Sequence, residues 1–253
     1  MALGADYLAP HDPYLAKARP LLPPSGEHWL GTNDVGQDIF SEIIVGARMS
    51  LLVATVTPSI VVTIALLVGI TAGYAGGSID IVLMRMVDVM LAIPSLPLMI
   101  LIAAYSGSGT LQLIAILSLF AWEIPSRLIR NEVLSVRNLM YVQAAHALGC
   151  TPLQVIWRHI IPALLPVLIT SFASQASRAV FLEASLAFIG IGDPTSKSWG
   201  AMMRAATGFR GIWYGINWVW WVLPTAACIS LLVLAFSFIG QGLERWANPR
   251  LSK

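Results

Sequence analysis

The chain has 253 residues, of which 57% are hydrophobic and 11% charged, and its formal charge is +2. Soluble domains carry about 25% charged residues, so the composition excludes an ordinary water-soluble fold, and so small a charge gives no basic surface for nucleic acid. The two cysteines, Cys150 and Cys228, supply neither a disulfide framework nor a metal-ligand spacing.

The chain therefore reads as an all-α membrane protein whose charge-free runs count its spans. Met1 to Glu27 is polar and Pro-rich, with Pro10, Pro13, Pro20, Pro23 and Pro24. It predicts an extended arm rather than a folded domain. Asp6 and the lack of a basic start argue against a secretory signal. Ile39, Phe40, Ile43, Ile44 and Ala47 share one helical face. That predicts an amphipathic helix at the membrane edge; part of a gate or a protein dock is the other reading.

No charge falls between Arg48 and Asp80. A span needs about 20 residues, so this run holds one, about Leu51 to Gly73, followed by a turn at Gly73, Gly76 and Gly77. Between Asp88 and Glu123 there is again no charge, but Pro94, Pro97 and the turn from Ser106 to Gly109 divide the run. Two spans are expected there, about Val87 to Tyr105 and Leu111 to Leu128. Ile160 to Gly192 is the next apolar run, with Arg178 and Glu183 inside it. Gly211 to Gly242 is charge-free and holds a last span, about Trp218 to Gly240. Trp213, Trp218, Trp220 and Trp221 at its start fit an aromatic belt at the water interface.

Between the third and fourth spans lies a basic segment. Arg127, Arg130, Arg137 and Arg158 surround it, and short Arg-rich loops lie in the cytoplasm. Val142 to Leu148 is rich in helix formers, and Gly149 suits the left-handed position just past a helix end. Thr151 can cap a following helix whose first turn accepts Pro152. Ala144 and Ala145 present little side-chain bulk, so a groove of another protein can come close to this helix. Read by itself, the segment is a surface helical hairpin between spans.

Ala144-Ala145, three residues, Gly149, and then Pro162 thirteen residues on resembles the loop signature of binding-protein-dependent ABC importer permeases. Arg158-His159-Ile160-Ile161-Pro162 is similar to the peptide and nickel branch, whose C-type subunit this chain resembles. His28, Leu30, Gly31, Thr32, Gly36, Asp38, Ser41, Gly46, Arg48 and Ser50 look like that branch's segment before its second span. The chain departs from the family's usual Glu at Gln143, and from its Asp, Arg and Arg at Asn33, Gln37 and Glu42. The resemblance covers nearly everything from Leu8 onward. Family members usually carry one more span before the arm; five are counted here.

The resemblance implies a type I ABC importer transmembrane domain. It implies that residues 1–48 form an extracytoplasmic arm and amphipathic segment, 49–243 the membrane domain with a cytoplasmic coupling loop at 131–161, and 244–253 a cytoplasmic tail. Gln143, Ala144, Ala145, Leu148, Gly149 and Pro162 become the ATPase-coupling residues. An acidic residue at Ala145 is expected to break coupling and spare membrane insertion. The implied partners are a second homologous permease, two ABC ATPases, an extracytoplasmic binding protein and the lipid bilayer of the cytoplasmic membrane. The implied substrates are di- and oligopeptides, with nickel chelates or oligosaccharides as alternatives. A non-transporting membrane scaffold is the other class of function.

The chain lacks Gly-x-x-x-x-Gly-Lys-Ser/Thr, so ATP and Mg belong to partner subunits. No nucleophile–base pair or carboxylate pair marks an enzyme, and no catalytic, cofactor or metal residues are assigned. His11, His28, His146 and His159 are scattered along the chain and predict no ligand set. Met84, Met86, Met90 and Met99 read as packing. Arg85 and Asp88, three apart, predict a local pair. Glu183 is the most informative intramembrane charge, because a carboxylate in lipid is costly and faces a partner or a water-filled path. It is a candidate for the translocation path or for helix packing, with Arg178 five residues earlier.

Overall fold

The computed structural model describes residues 4–107, 109–193 and 195–247. Ser108, Pro194 and the chain from Asn248 onward lie outside the described residues. After a short helix α1 (Ala5–Leu8) come α2 (Ile39–Ala75), α3 (Gly77–Ala92), α4 (Ser95–Ser106), α5 (Thr110–Leu119) and α6 (Glu123–Arg137). Then follow α7 (Met140–Ala147), α8 (Pro152–Val155), a π-turn (Ile156–Ile160), α9 (Ile161–Phe188), α10 (Trp199–Gly208) and α11 (Trp218–Ala247). Among the described residues the only β pairing is one bridge between Thr32 and Asp38.

Three rods are long and apolar enough to cross a membrane: Ile39–Ala75, Pro152–Phe188 and Trp218–Leu243. Two bent pairs, α3 with α4 (82°) and α5 with α6 (47°), bring the number to five if each pair is one span. The count agrees with the charge-free runs; the shapes differ. Ile93 takes an extended conformation, as the residue before a proline must, and Pro94 ends α3. The segment expected as an amphipathic helix at the membrane edge is instead the first part of α2, which runs unbroken for 37 residues. At 1.5 Å per residue that is about 55 Å, well beyond a hydrocarbon core of about 30 Å.

The chain divides into two compact units. One comprises the chain up to Val56, Ile100–Ile114 and Ala176–Ala235. Its core joins Ile39, Ile43 and Ala47 of α2 to Trp199, Met202 and Ala206 of α10, with Ile212 and Trp221. The Trp199 indole donates to the Ile43 carbonyl at 2.9 Å, and Ser198 caps α10. Trp221, 1% exposed, is thus a core residue, whereas Trp213 at 61% fits the expected belt. The Pro-rich arm is not free either. Leu21 N–H donates to the Asn33 carbonyl at 3.0 Å and Thr32 N–H to that of Leu22 at 3.1 Å. A side chain at Gly31 or Gly36 would run into the carbonyls of Leu22 or Ala18, which is why both positions are glycine.

The other unit comprises Thr57–Met99, Ala115–Gln175 and the chain from Phe236 on. Its main core joins Ala65 and Leu164 to Ile129, Val133 and Val136 of α6, and to Val142, Ala145, Val155 and Ile160. A second cluster joins Val61, Val87, Ala121 and Trp122, with Met84 and Met90 packed against it. Gly69 and Gly73 of α2 lie under α6: a Cβ at either would sit 2.8 Å from Ile129 or Val133. Gly69→Leu is therefore expected to lower the thermal unfolding midpoint in detergent through overpacking of roughly 1–3 kcal/mol. Gly242→Leu, where a Cβ meets nothing within 4 Å, leaves it unchanged. Equal midpoints for the two variants would contradict this packing.

Candidate functional site

The basic segment forms the helical hairpin its sequence predicts. α7 ends at Gly149, whose φ is +85°, and the Cys150 N–H reaches back to the Ala145 carbonyl at 3.1 Å, satisfying a terminal carbonyl. Thr151 and Gln154 form a capping box at the start of α8, with Pro152 at its first position. Pro162 does not begin a separate helix. It sits in a rod continuous from Pro152 to Phe188, where the π-turn Ile156–Ile160 precedes it. A proline has no N–H and presses on the carbonyl four residues back; a widened turn accommodates both.

The two alanines differ in burial. Ala145 is 7% exposed and belongs to the unit's core with Val142, whereas Ala144 is exposed. Of the expected pair, only Ala144 presents its side chain at the surface. An acidic residue at Ala145 would strike the core as well as any interface. Gln143 is exposed and its amide donates to the Asn138 carbonyl at 3.3 Å. Around Ala144, Leu148 is 86% exposed and Met140 85%, and Leu139, Tyr141, Leu153 and Trp157 are also exposed. Together they form an exposed apolar surface around the hairpin.

The hairpin stands on a charged framework. Arg130 makes a two-pronged pair with Asp80, both bonds 2.5 Å. Arg127 pairs with Asp88 at 2.5 Å. Arg137 donates to the Gly73 and Tyr74 carbonyls at 3.3 and 2.8 Å, closing the end of α2. Tyr74 Oη lies 3.2 Å from His146 Nε2 on α7. The expected local pair of Arg85 with Asp88 is present but exposed and longer, at 3.7 Å.

In the other unit, Glu183 is 1% exposed and its Oε2 has no hydrogen-bond partner. It lines a cavity of about 470 Å³ with Met49, Leu113, Asp193, Ser198 and Arg204. Arg204 fills the space that a side chain at Gly190 would need. The Thr195 hydroxyl and N–H, 2.6 and 2.8 Å from Asp193 Oδ1, hold the Asp193 carboxyl below the usual carboxylate range. Asp193 therefore stays ionised beside Glu183. Arg178 is not among the residues lining this cavity, so the two candidate path residues do not converge there. A second cavity, about 660 Å³, is lined by His11, Tyr14, Arg48, Thr110 and Lys197.

The structure also assembles what the sequence kept apart. Asn33, Gln37 and Glu42, three departures from the family pattern, meet at Lys197. Its Nζ is 2.5 Å from Glu42 Oε1 and 2.8 Å from Gln37 Oε1, and Asn33 Nδ2 donates to Glu42 Oε2 at 3.2 Å. His11 and His28, expected to be scattered, have ring centroids 4.7 Å apart, and His28 bonds Asp38 at 2.9 Å.

Residues 65–253 match the model of the family described as binding-protein-dependent transport system inner membrane component. The chain is 34% identical over 252 residues to the probable D,D-dipeptide transport system permease protein DdpC of Escherichia coli, covering 99% of this chain and 83% of that protein. It is 33% identical over 254 residues to the glutathione transport system permease protein GsiD of Pectobacterium atrosepticum, covering 99% and 83%. With the dipeptide transport system permease protein DppC of Bacillus subtilis the identity is 33% over 255 residues, covering 100% and 78%. Among solved structures, an inward-facing conformation of the MetNI methionine ABC transporter superposes with a TM-score of 0.67 at 19% identity, covering 82% of this chain and 97% of that one; it has the same fold.

Lys197→Met strips the 3%-exposed Glu42 of its cation. Breaking a buried pair from one side costs about 3–5 kcal/mol, so a large fall in the unfolding midpoint is expected. Adding Glu42→Gln should restore most of it. Additive losses in the double variant would show that the two side chains do not act together.

Proposed function

The chain belongs to the binding-protein-dependent transport system inner membrane components, and on that premise we propose how it works. It is a transmembrane permease subunit of an ABC importer of peptides. Its place is the inner membrane, which it crosses several times. We assign it two ABC ATPase partners, a second permease, and an extracytoplasmic protein that delivers the peptide. The C-terminus and the α7–α8 hairpin then lie in the cytoplasm, and ATP and Mg are bound by the ATPases.

The observation that carries this reading is the hairpin itself. It pairs an exposed apolar face (Met140, Ala144, Leu148) with a buried one (Val142, Ala145) locked into the unit's core. A groove on the ATPase that receives Leu148 pulls on Val142 and Ala145, and through them on Ile129 and Val133 of α6. Closure of the ATPase dimer with ATP then shifts the membrane helices between inward- and outward-open packings. Such a shift needs ATP to favour one packing over the other. Within the membrane we place Glu183 on the peptide's path. Glu183 lines a cavity of about 470 Å³, and there we place the counter-charge for the ammonium end of a peptide.

Ala144→Glu and Leu148→Glu are expected to insert and fold normally yet to lose ATP-driven peptide uptake by tenfold or more, the equivalent of about 1.4 kcal/mol of docking energy. Normal uptake by both variants would sink the docking assignment. Glu183→Gln keeps the shape and removes the charge. It should slow uptake of a dipeptide with a free amino terminus more than that of its N-acetyl derivative, and equal effects on the two would take Glu183 off the path.

A further inference from the structure

We propose that His11, His28 and Asp38 form a binding site for a divalent transition-metal ion of the zinc class, at the start of α2. One ligand atom from each residue lies within 4.8 Å of the other two. His28 Nδ1 is 2.9 Å from Asp38 Oδ1, and His11 Nε2 is 3.0 Å from the Glu27 carbonyl oxygen. Two imidazoles and a carboxylate are a zinc-type ligand set, and a main-chain oxygen or water completes four-coordination.

The surroundings favour an ion over a simple hydrogen-bonded cluster. The His28–Asp38 bond and the bond of His11 to the Glu27 carbonyl place one imidazole each, and the two rings, 4.7 Å apart and tilted by 43°, meet at one carboxylate. The Asp38 carboxylate is already oriented. Its Oδ2 accepts the Ser41 N–H at 2.8 Å and the Ser41 hydroxyl at 2.6 Å, leaving Oδ1 directed at the imidazole. Metal ligands are characteristically held this way by outer hydrogen bonds. His28 and Asp38 are buried at 8% and 3% exposure, and His11 is half-buried. A cavity of about 340 Å³, lined by His11, His28 and Asp38, opens past Asp12, Lys17 and Glu27. Two exposed carboxylates against one ammonium favour a cation entering there.

The ion's role follows from what it joins. His11 belongs to the Pro-rich arm, His28 to the segment that follows it, and Asp38 caps the long helix. A shared ion adds a crosslink between the arm and the helix start and removes loop freedom that remains beside the arm's hydrogen bonds. It is a resident clip, not transported cargo, and does not depend on the substrate assigned above.

The test uses the full chain in detergent, purified with a tag that contains no histidine and stripped with EDTA. Zn²⁺ is titrated in competition with a chromophoric chelator, and unfolding is followed with and without the ion. One Zn²⁺ per chain is expected, with a rise in the unfolding midpoint on adding it. His11→Gln should weaken binding by more than the roughly 10–100-fold lost with outer-shell partners and abolish the Zn²⁺-dependent rise. His11 is chosen because its side chain does not cap α2, so the variant keeps the fold. Absence of binding at micromolar Zn²⁺, or equal affinity in the native chain and His11→Gln, would overturn the proposal. The second result would place the ion on other histidines.

Discussion

The contact on which the α7–α8 hairpin depends is the close approach of α6 to α2 at Gly69 and Gly73. In lipid there is no hydrophobic drive between helices, so association rests on packing, and small residues let backbones come together. Ile129 and Val133 use that space, with Cβ-equivalent separations of 2.8 Å that no larger residue at 69 or 73 would permit. Because α6 is seated there, Arg130 reaches Asp80, Arg127 reaches Asp88, and Arg137 reaches the last carbonyls of α2. The α7–α8 hairpin is then packed onto α6 through Val136, Val142 and Ala145. A short helix alone is marginal in water; this one is held by its packing on α6.

Sparse charge is the second organising constraint. With 11% charged residues, a chain in a membrane has few to spare, and several pair with one another: Asp80 with Arg130, Asp88 with Arg127 and Arg85, and Glu42 with Lys197. The arginines that read as a cytoplasmic marker are largely committed to internal partners. At the start of α2, Glu42 stands where relatives of its branch usually carry Arg, and Lys197 supplies the opposite charge from a distant loop. Asn33 and Gln37 complete the same network. Departures that look unrelated along the sequence thus answer one another in space. Glu183 is buried and lines a cavity, with one of its oxygens left without a hydrogen bond.

Much of this was legible in the sequence. Long charge-free runs gave the number of spans because the bilayer sets a length that composition reveals. The turn at Gly149 and the cap at Thr151 were legible because both are local chemistry. The facing of Ala145 was not, since an eight-residue helix offers too few turns for its apolar period to say which alanine points inward. Unbroken continuation of α2 from Ile39 was hidden by Arg48, which a helix longer than the bilayer tolerates. Partners such as Asp80 for Arg130, Lys197 for Glu42 and His11 for His28 lie far apart in sequence. Only the path of the chain brings them together, and no spacing rule encodes that path.

The exposed face of α7 is proposed to dock into an ABC ATPase. The most direct measurement places a photo-crosslinking amino acid at Leu148 in the native membrane, irradiates with and without ATP, and identifies the adduct by mass spectrometry. The expected adduct is an ATPase subunit, with a yield that changes on adding ATP. Adducts to lipid alone, or none from a membrane in which the intact importer transports peptide, would contradict it.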